Sequence, residues 1–240
     1  MTNPNYTHIS ILIDESGSMQ HLAADTIGGF NSFIEEQRLV EGKATVSVHT
    51  FSTRRKTLSS MVPIKEATLL DRASYSPSGG TALNDALGQS IIDLGKDLSD
   101  LPEEDRPGKV LFIVITDGEE NSSCSFSKEQ VKSMVEQQES IYKWNFIYLG
   151  ANVDSFAESS SIGIRGANTL NYDASAEGIR GTYTVLSGSI GSSRIHAKSD
   201  ASLSFYGQAS DVEAARGIDF DQVFKIQSAT NGDQDPGSTP

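Results

Sequence analysis

The chain opens with a nearly unbroken apolar stretch, in which Ile9, Ile11, Leu12 and Ile13 lead directly to Asp14. A strand with one wet face would alternate between apolar and polar positions. This one does not, so it predicts a strand covered on both sides, as in a parallel sheet. Val110 to Ile115 repeats the pattern and also runs into a carboxylate, within Thr116-Asp117-Gly118-Glu119-Glu120-Asn121. Between and after these runs the apolar period lengthens to that of a helix. Leu22, Ile27, Phe30 and Ile34 predict one helix to about Leu39, with Gly42 as a stop, and Leu83, Leu87, Ile91 and Leu94 predict a second. Val131, Met134, Val135 and Ile141 predict a third, opened by a capping box from Ser127 to Gln130. Ala176, Ile179, Tyr183, Leu186 and Ile190 predict a last helix, capped by Asp173 or Ser175. Gly178, Gly181 and Gly188 weaken that helix, so packing must supply most of its stability.

The remaining strands are shorter. Lys43 to Phe51 alternates, with Val46 and Val48 on one face and Thr45, Ser47 and His49 on the other, which suits a strand nearer an edge. The segment from Arg54 to Ile64 is open to an antiparallel return, with Arg54, Arg55 and Lys56 as solvated edge protection. Trp144 to Leu149 reads as another strand, followed by a short helix around Val153 to Ser159 and an edge strand at Thr169 to Tyr172. The fold class expected is α/β: a Rossmann-like, doubly wound, mostly parallel central sheet with one antiparallel edge strand and helices on both faces. Residues 1–194 form one domain in this reading. In the extension 195–240 the pattern fades, and 228–240 has the polar, Gly-, Pro- and Asp-rich composition of a disordered end. Phe205, Tyr206, Phe220, Val223 and Phe224 are candidates to dock on the domain or on a partner.

A length of 240 residues suits one such domain with a tail, and the formal charge of −13 argues against nucleic acid, where binding begins by neutralising phosphates. The single cysteine, Cys124, allows neither an internal disulfide nor a thiolate metal cage, and reads as a spectator in a loop. There is no basic n-region, no signal-type apolar segment and no run of membrane-spanning length, so a cytoplasmic protein is expected.

The chemistry sits where the apolar runs stop. Ligands of open α/β sheets gather beyond the carboxyl ends of the strands, and the leading strands of the two halves are neighbours at the switch point, so Asp14 and Asp117 are expected to converge. Two such acids repel unless a proton or a cation lies between them. Gly17 allows a tight turn that points Ser16 and Ser18 the same way. The turn-rich stretch from Asp71 to Gly80 delivers Thr81 to a helix start, either as a cap or, after two glycines, as a group that approaches a ligand closely. Asp14, Ser16, Ser18, Thr81 and Asp117 are all hard oxygen donors with no His or Cys among them. That favours Mg2+, with Mn2+ or Ca2+ as substitutes, over zinc or copper.

Asp14-Glu15-Ser16-Gly17-Ser18 resembles the D-x-S-x-S motif of von Willebrand factor type A domains. Thr81 after Gly79-Gly80 resembles that family's separate threonine, and Thr116-Asp117-Gly118 its T-D-G element. The resemblance covers roughly residues 6 to 194 and includes all parts of a metal-ion-dependent adhesion site. It implies that Ser16, Ser18 and Thr81 bind a metal directly, that Asp14 and Asp117 act largely through water, and that a partner protein's Asp or Glu completes the coordination. It implies a non-enzymatic binding domain; the family's tasks include adhesion, complex assembly and work beside AAA+ ATPases.

Two other readings compete. A haloacid-dehalogenase-like Mg2+-dependent phosphotransferase also ends its first strand in an Asp, and Glu119 and Glu120 give it a later acidic loop, but such enzymes resemble D-x-D and position 16 is Ser. A scaffold with metal-independent contacts is the other. The chain has no GxSxG, GxGxxG or P-loop signature, and its histidines, at 8, 21, 49 and 196, form no HExxH pair. His21 reads as a helix-start residue rather than a base.

Overall fold

The computed structural model describes residues 2–151 and 154–195. Val153, the aromatic positions from Phe205 to Phe224 and the polar 228–240 segment lie outside the described residues. In chain order the elements are β1 (Asn3–Asp14), α1 (Ala23–Leu39), β2 (Lys43–Phe51), β3 (Arg55–Pro63) and α2 (Leu83–Ser99). Then follow β4 (Pro107–Thr116), α3 (Lys128–Tyr142), β5 (Asn145–Ala151), α4 (Ser155–Ser161), β6 (Thr169–Tyr172) and α5 (Ala176–Ile195). The strands form one sheet in the order β3-β2-β1-β4-β5-β6, parallel throughout except for the β2–β3 edge pair. The architecture is the expected one. Among the described residues no helix is long and apolar enough to cross a membrane.

The two apolar strands take the centre because both of their faces need cover. β1 pairs with β2 on one side and β4 on the other, with Ile9 opposite Leu111 and Ile13 opposite Ile115. Ile9, Ile11 and Ile13 face a layer formed by Phe30, Phe33 and Ile34 of α1 with Ile179, Tyr183, Leu186 and Ile190 of α5. Leu12, Phe112 and Val114 point the other way, into Leu83, Leu87 and Ile91 of α2 and Val131 and Val135 of α3. Each of these fully buried aliphatic side chains contributes roughly 2 kcal/mol of transfer free energy.

The helix ends follow local chemistry. Ser127 Oγ accepts from Gln130 N at 3.2 Å while Gln130 Oε1 accepts from Ser127 N at 2.7 Å, the reciprocal pair expected of a capping box. Ser175, rather than Asp173, accepts from the Gly178 amide at the head of α5, at 3.1 Å. Gly42 has φ +95°, a left-handed value that favours glycine, in the short link from α1 to β2.

One expectation holds and one needs correction. β2 does lie near the edge, one place in, although its polar face is buried. Thr45 bonds the Tyr6 hydroxyl at 2.8 Å and His8 Nδ1 at 2.9 Å, Ser47 Oγ accepts from Met61 N at 3.0 Å, and His49 Nδ1 meets Thr57 Oγ1 at 3.0 Å. Mutual hydrogen bonding lets this face go under cover where alternation alone predicts exposure. Arg55, by contrast, is no solvated gatekeeper. Its guanidinium pairs with Asp93 of α2 and donates to Ser90 Oγ at 3.0 Å, tying the antiparallel edge to a helix.

Candidate metal centre

β1 and β4 end side by side, so their terminal residues Asp14 and Thr116 are brought together although 102 positions separate them. Thr116 Oγ1 donates to Asp14 Oδ2 at 2.6 Å, and Ser16 N donates to Asp14 Oδ1 at 2.7 Å. The Asp14 carboxylate is therefore aimed by the neighbouring strand and by its own loop. Past Ser16 the chain turns into a single 3-10 stretch, Gly17–Leu22, which the apolar pattern had not marked. That turn sets Ser16 Oγ and Ser18 Oγ 3.0 Å apart, and Ser18 Oγ donates to Asp117 Oδ1 at 2.6 Å. His21 sits at the end of the turn, its ring Nδ1 donating to the Ser18 carbonyl at 2.8 Å.

Thr81 comes from the third loop. It is not the cap of α2; that position is Ala82, which has no capping side chain. The Thr81 backbone is bridged to Asn121 instead: Thr81 N donates to Asn121 Oδ1 at 2.9 Å and Asn121 N donates to Thr81 O at 3.0 Å. Gly79, at φ +81°, and Gly80 permit the approach, since a methyl on Gly80 would overlap Ser122 Oγ. Gly17 N donates to the Gly79 carbonyl at 3.0 Å, which closes the first loop onto the third.

The convergence is measured best at Gly118. A methyl carbon placed there would lie 3.3 Å from Thr81 Oγ1, 3.5 Å from Ser18 Oγ and 4.0 Å from Asp14 Oδ2. Oxygens from two separate loops thus surround one small space beside a glycine of the third. All five candidate residues, Asp14, Ser16, Ser18, Thr81 and Asp117, belong to this cluster; Ser18 is the exposed member and the other four are buried.

The electrostatics leave the cluster short of positive charge. Burial pushes the Asp14 carboxyl up to about 6, against the hydrogen bonds from Thr116 and Ser16 and with a further push from Asp117. Asp117 is also raised by burial, against its bond from Ser18. Asp117 Oδ2 is buried with no hydrogen-bond partner. A cation would relieve both effects, because an adjacent positive charge favours the ionised carboxylate and supplies the missing partner. The donor set therefore fits a hard divalent ion.

Several supporting residues were not legible beforehand. Tyr75 donates to the Asp14 carbonyl across 61 positions, at 2.6 Å, and Tyr172 donates to the Thr116 carbonyl at 3.2 Å. Glu15 Oε1 accepts from Ser76 N at 2.5 Å. Glu120 accepts from the amides of Asn84, Ser122 and Ser123, and Asp85 from those of Cys124, Ser125 and Phe126. Cys124 is exposed in this loop. Only Thr116, as a hydroxyl beside a strand-end carboxylate, carried a local signal.

No family model and no curated protein sequence matches the chain. Solved structures do. Proximal thread matrix protein 1 from the mussel byssus, solved with a zinc-occupied MIDAS motif, aligns with a TM-score of 0.54 at 15% identity, covering 78% of this chain and 46% of that one. Manganese-loaded TRAP protein of Plasmodium vivax aligns with a TM-score of 0.51 at 17% identity, covering 71% and 69%. A von Willebrand factor type A structure from Catenulispora acidiphila aligns with a TM-score of 0.50 at 15% identity, covering 76% and 42%. The chain spans a little under half the length of the mussel protein. With six strands in this order, one antiparallel edge and helices on both faces, the chain has the fold of a von Willebrand factor type A domain.

Proposed function

We propose that this chain is a metal-dependent protein-binding domain. It holds Mg2+, or Mn2+ or Ca2+ in its place, and engages a partner protein whose Asp or Glu completes the coordination. The observation that carries this reading is the space beside Gly118, where Thr81, Ser18 and Asp14 converge next to the unpartnered oxygen of Asp117. Ser16, Ser18 and Thr81 would hold the ion directly and Asp14 and Asp117 largely through water, as the resemblance to the adhesion site implies. A bound divalent cation would supply an electrophilic position open to an incoming carboxylate. The chain's own residues do the rest. Thr116 and the Ser16 amide orient Asp14, Ser18 orients Asp117, and the Asn121 bridge holds Thr81 in line with the other two loops.

The reading takes residues 1–194 as the binding domain and 195–240 as an extension, in a cytoplasmic, non-enzymatic protein. Its partner class is protein, with a component of an AAA+ ATPase complex as one instance, and not nucleic acid or membrane. Against the phosphotransferase alternative, the Glu120 carboxylate is occupied by the Asn84, Ser122 and Ser123 amides, and a hydroxyl stands at position 16.

Two measurements test the proposal. Titration with Mn2+ followed by calorimetry is expected to give one site that Mg2+ displaces. Ser16→Ala and Asp117→Ala are expected to abolish both the site and the Mg2+-dependent, EDTA-sensitive capture of a partner from native lysate, while circular dichroism stays unchanged because the cluster sits at the sheet's rim. Capture that is equal in EDTA and Mg2+ would favour the metal-independent scaffold, and turnover of a generic phosphoester lost in Asp14→Asn would favour the enzyme.

A further inference from the structure

Beneath the metal loops, on the face covered by α1 and α5, lie three buried tyrosines: Tyr75, Tyr172 and Tyr183. Two of them reach the backbone at the points where the strands give way to the ligand-bearing loops. Tyr75, from the connection between β3 and α2, donates to the carbonyl of Asp14, the last residue of β1, at 2.6 Å. Tyr172, the last residue of β6, donates to the carbonyl of Thr116, the last residue of β4, at 3.2 Å. Asp14 and Thr116 lie just past Ile13 and Ile115, the last paired residues between β1 and β4, and the carbonyl of each is met by a phenol. Tyr183 differs, since its hydroxyl is buried with no partner. Burial drives the Tyr75 and Tyr172 phenols well above their usual range, so both remain protonated donors across the accessible pH range.

We infer that Tyr75 and Tyr172 are positioning residues for the cation site. Each phenol pins the strand-end carbonyl from which a metal-binding loop departs, and so sets the direction in which the Asp14 and Asp117 carboxylates leave the sheet. The inference rests on the metal-binding reading above. The peptide plane pinned by Tyr75 joins Asp14 to Glu15, and the one pinned by Tyr172 joins Thr116 to Asp117. Rotation of either plane would swing a ligand, and the cradle tolerates little of this, with its oxygens 3.0 and 2.6 Å apart across Ser16, Ser18 and Asp117. Hydrogen bonds that preorganise a ligand shell are felt in affinity more than in fold.

The test uses the full chain with Mn2+ as the probe, in Tyr75→Phe, Tyr172→Phe and the control Tyr183→Phe. Each substitution removes one oxygen and keeps the ring, so packing is retained. Tyr75→Phe and Tyr172→Phe are each expected to weaken Mn2+ binding by about fivefold, the effect of one lost hydrogen bond. They are also expected to broaden the Mn2+ electron paramagnetic resonance lines, as a less uniform ligand shell does, a change that the lost stability of a missing buried hydrogen bond would not by itself produce. Tyr183→Phe should leave affinity and line shape unchanged. If the unsubstituted chain binds Mn2+ and both variants match it within twofold, the positioning role is wrong while metal binding stands. An equal loss in Tyr183→Phe would also overturn the role, by showing a general packing effect. If the unsubstituted chain binds no Mn2+, the metal reading itself fails. Each tyrosine is judged separately, so misfolding of one variant leaves the other decisive.

Discussion

At the scale of single residues, Gly118 has the largest consequence for its size. Its φ is not in the left-handed region, so alanine there is conformationally tolerable, and the objection to a side chain comes only from what surrounds it. A methyl would occupy the space bounded by Thr81 Oγ1, Ser18 Oγ and Asp14 Oδ2. Gly118→Ala is therefore expected to lower Mn2+ affinity by at least about tenfold, or about 1.4 kcal/mol. Its melting temperature in EDTA should stay close to that of the unsubstituted chain. Calorimetry beside a thermal melt separates the two effects, and unchanged affinity would mean that the metal does not sit in this cradle. Asp14 shows the complementary situation. Its carboxyl is raised to about 6 by burial, yet two hydrogen bonds hold it in one orientation. That combination costs stability in the free protein and is relieved by a cation.

At the scale of elements, the loop after β4 is fastened to the start of α2 by exchanged carboxylates. Asp85, in the first turn of α2, accepts from three successive loop amides, and Glu120 of the loop accepts from Asn84 of the helix. Phe126 lies over Gly88, where any larger residue on the helix would collide with the ring. Asp85→Ala leaves the amides of Cys124, Ser125 and Phe126 without their acceptor. Water can reach part of this site, so the expected loss is about 1–2 kcal/mol. Hydrogen exchange should quicken across residues 119–127 while β1 and β4 keep their protection, and Mn2+ affinity should fall because Asn121 and Asp117 lie on the same loop. Uniformly faster exchange through the sheet would show that the clasp supports the whole fold instead.

At the scale of the whole molecule, two buried histidines link stability to pH. Burial lowers His8 to about 3 and His49 to about 4, with further contributions from His49 on the first and Arg55 on the second. His8 Nε2 has no partner, so a proton added there would be buried uncompensated. In the unfolded chain both rings titrate near 6.5, so the unfolded state takes up protons first as pH falls. Their contribution is complete above about pH 7 and is lost as pH drops through 6.5 towards 3. Asp14 acts in the opposite sense between 3.8 and about 6, because its folded form holds a proton more tightly. By linkage each histidine loses about 2 kcal/mol at pH 5, and Asp14, with Asp117 and Glu139 whose carboxyls burial also raises, returns part of it, leaving a net loss. Urea unfolding in EDTA at pH 7.5 and pH 5 measures this directly. Equal or greater stability at pH 5 would contradict the buried, neutral state of these rings.

The amino-acid sequence by itself determined the elements whose signal is local. The two doubly covered strands, the helices with a repeating apolar stripe, the capping box at Ser127 and the five oxygen donors at strand or helix ends all follow from period, spacing and side-chain chemistry. The convergence of Asp14 and Asp117 was also inferable, since parallel topology makes β1 and β4 neighbours. Tertiary structure alone decided what depends on pairing distant polar groups. Only packing shows that the polar face of β2 is buried against its own hydrogen-bond partners, that Arg55 is spent on Asp93, and that Asn121 rather than a cap holds Thr81. The same is true of the tyrosines under the loops. Hydrophobic period encodes which face of an element turns inward, because burial acts on each residue separately. A hydrogen bond needs two groups at one place, and where the second group stands is settled only when the chain has closed around it.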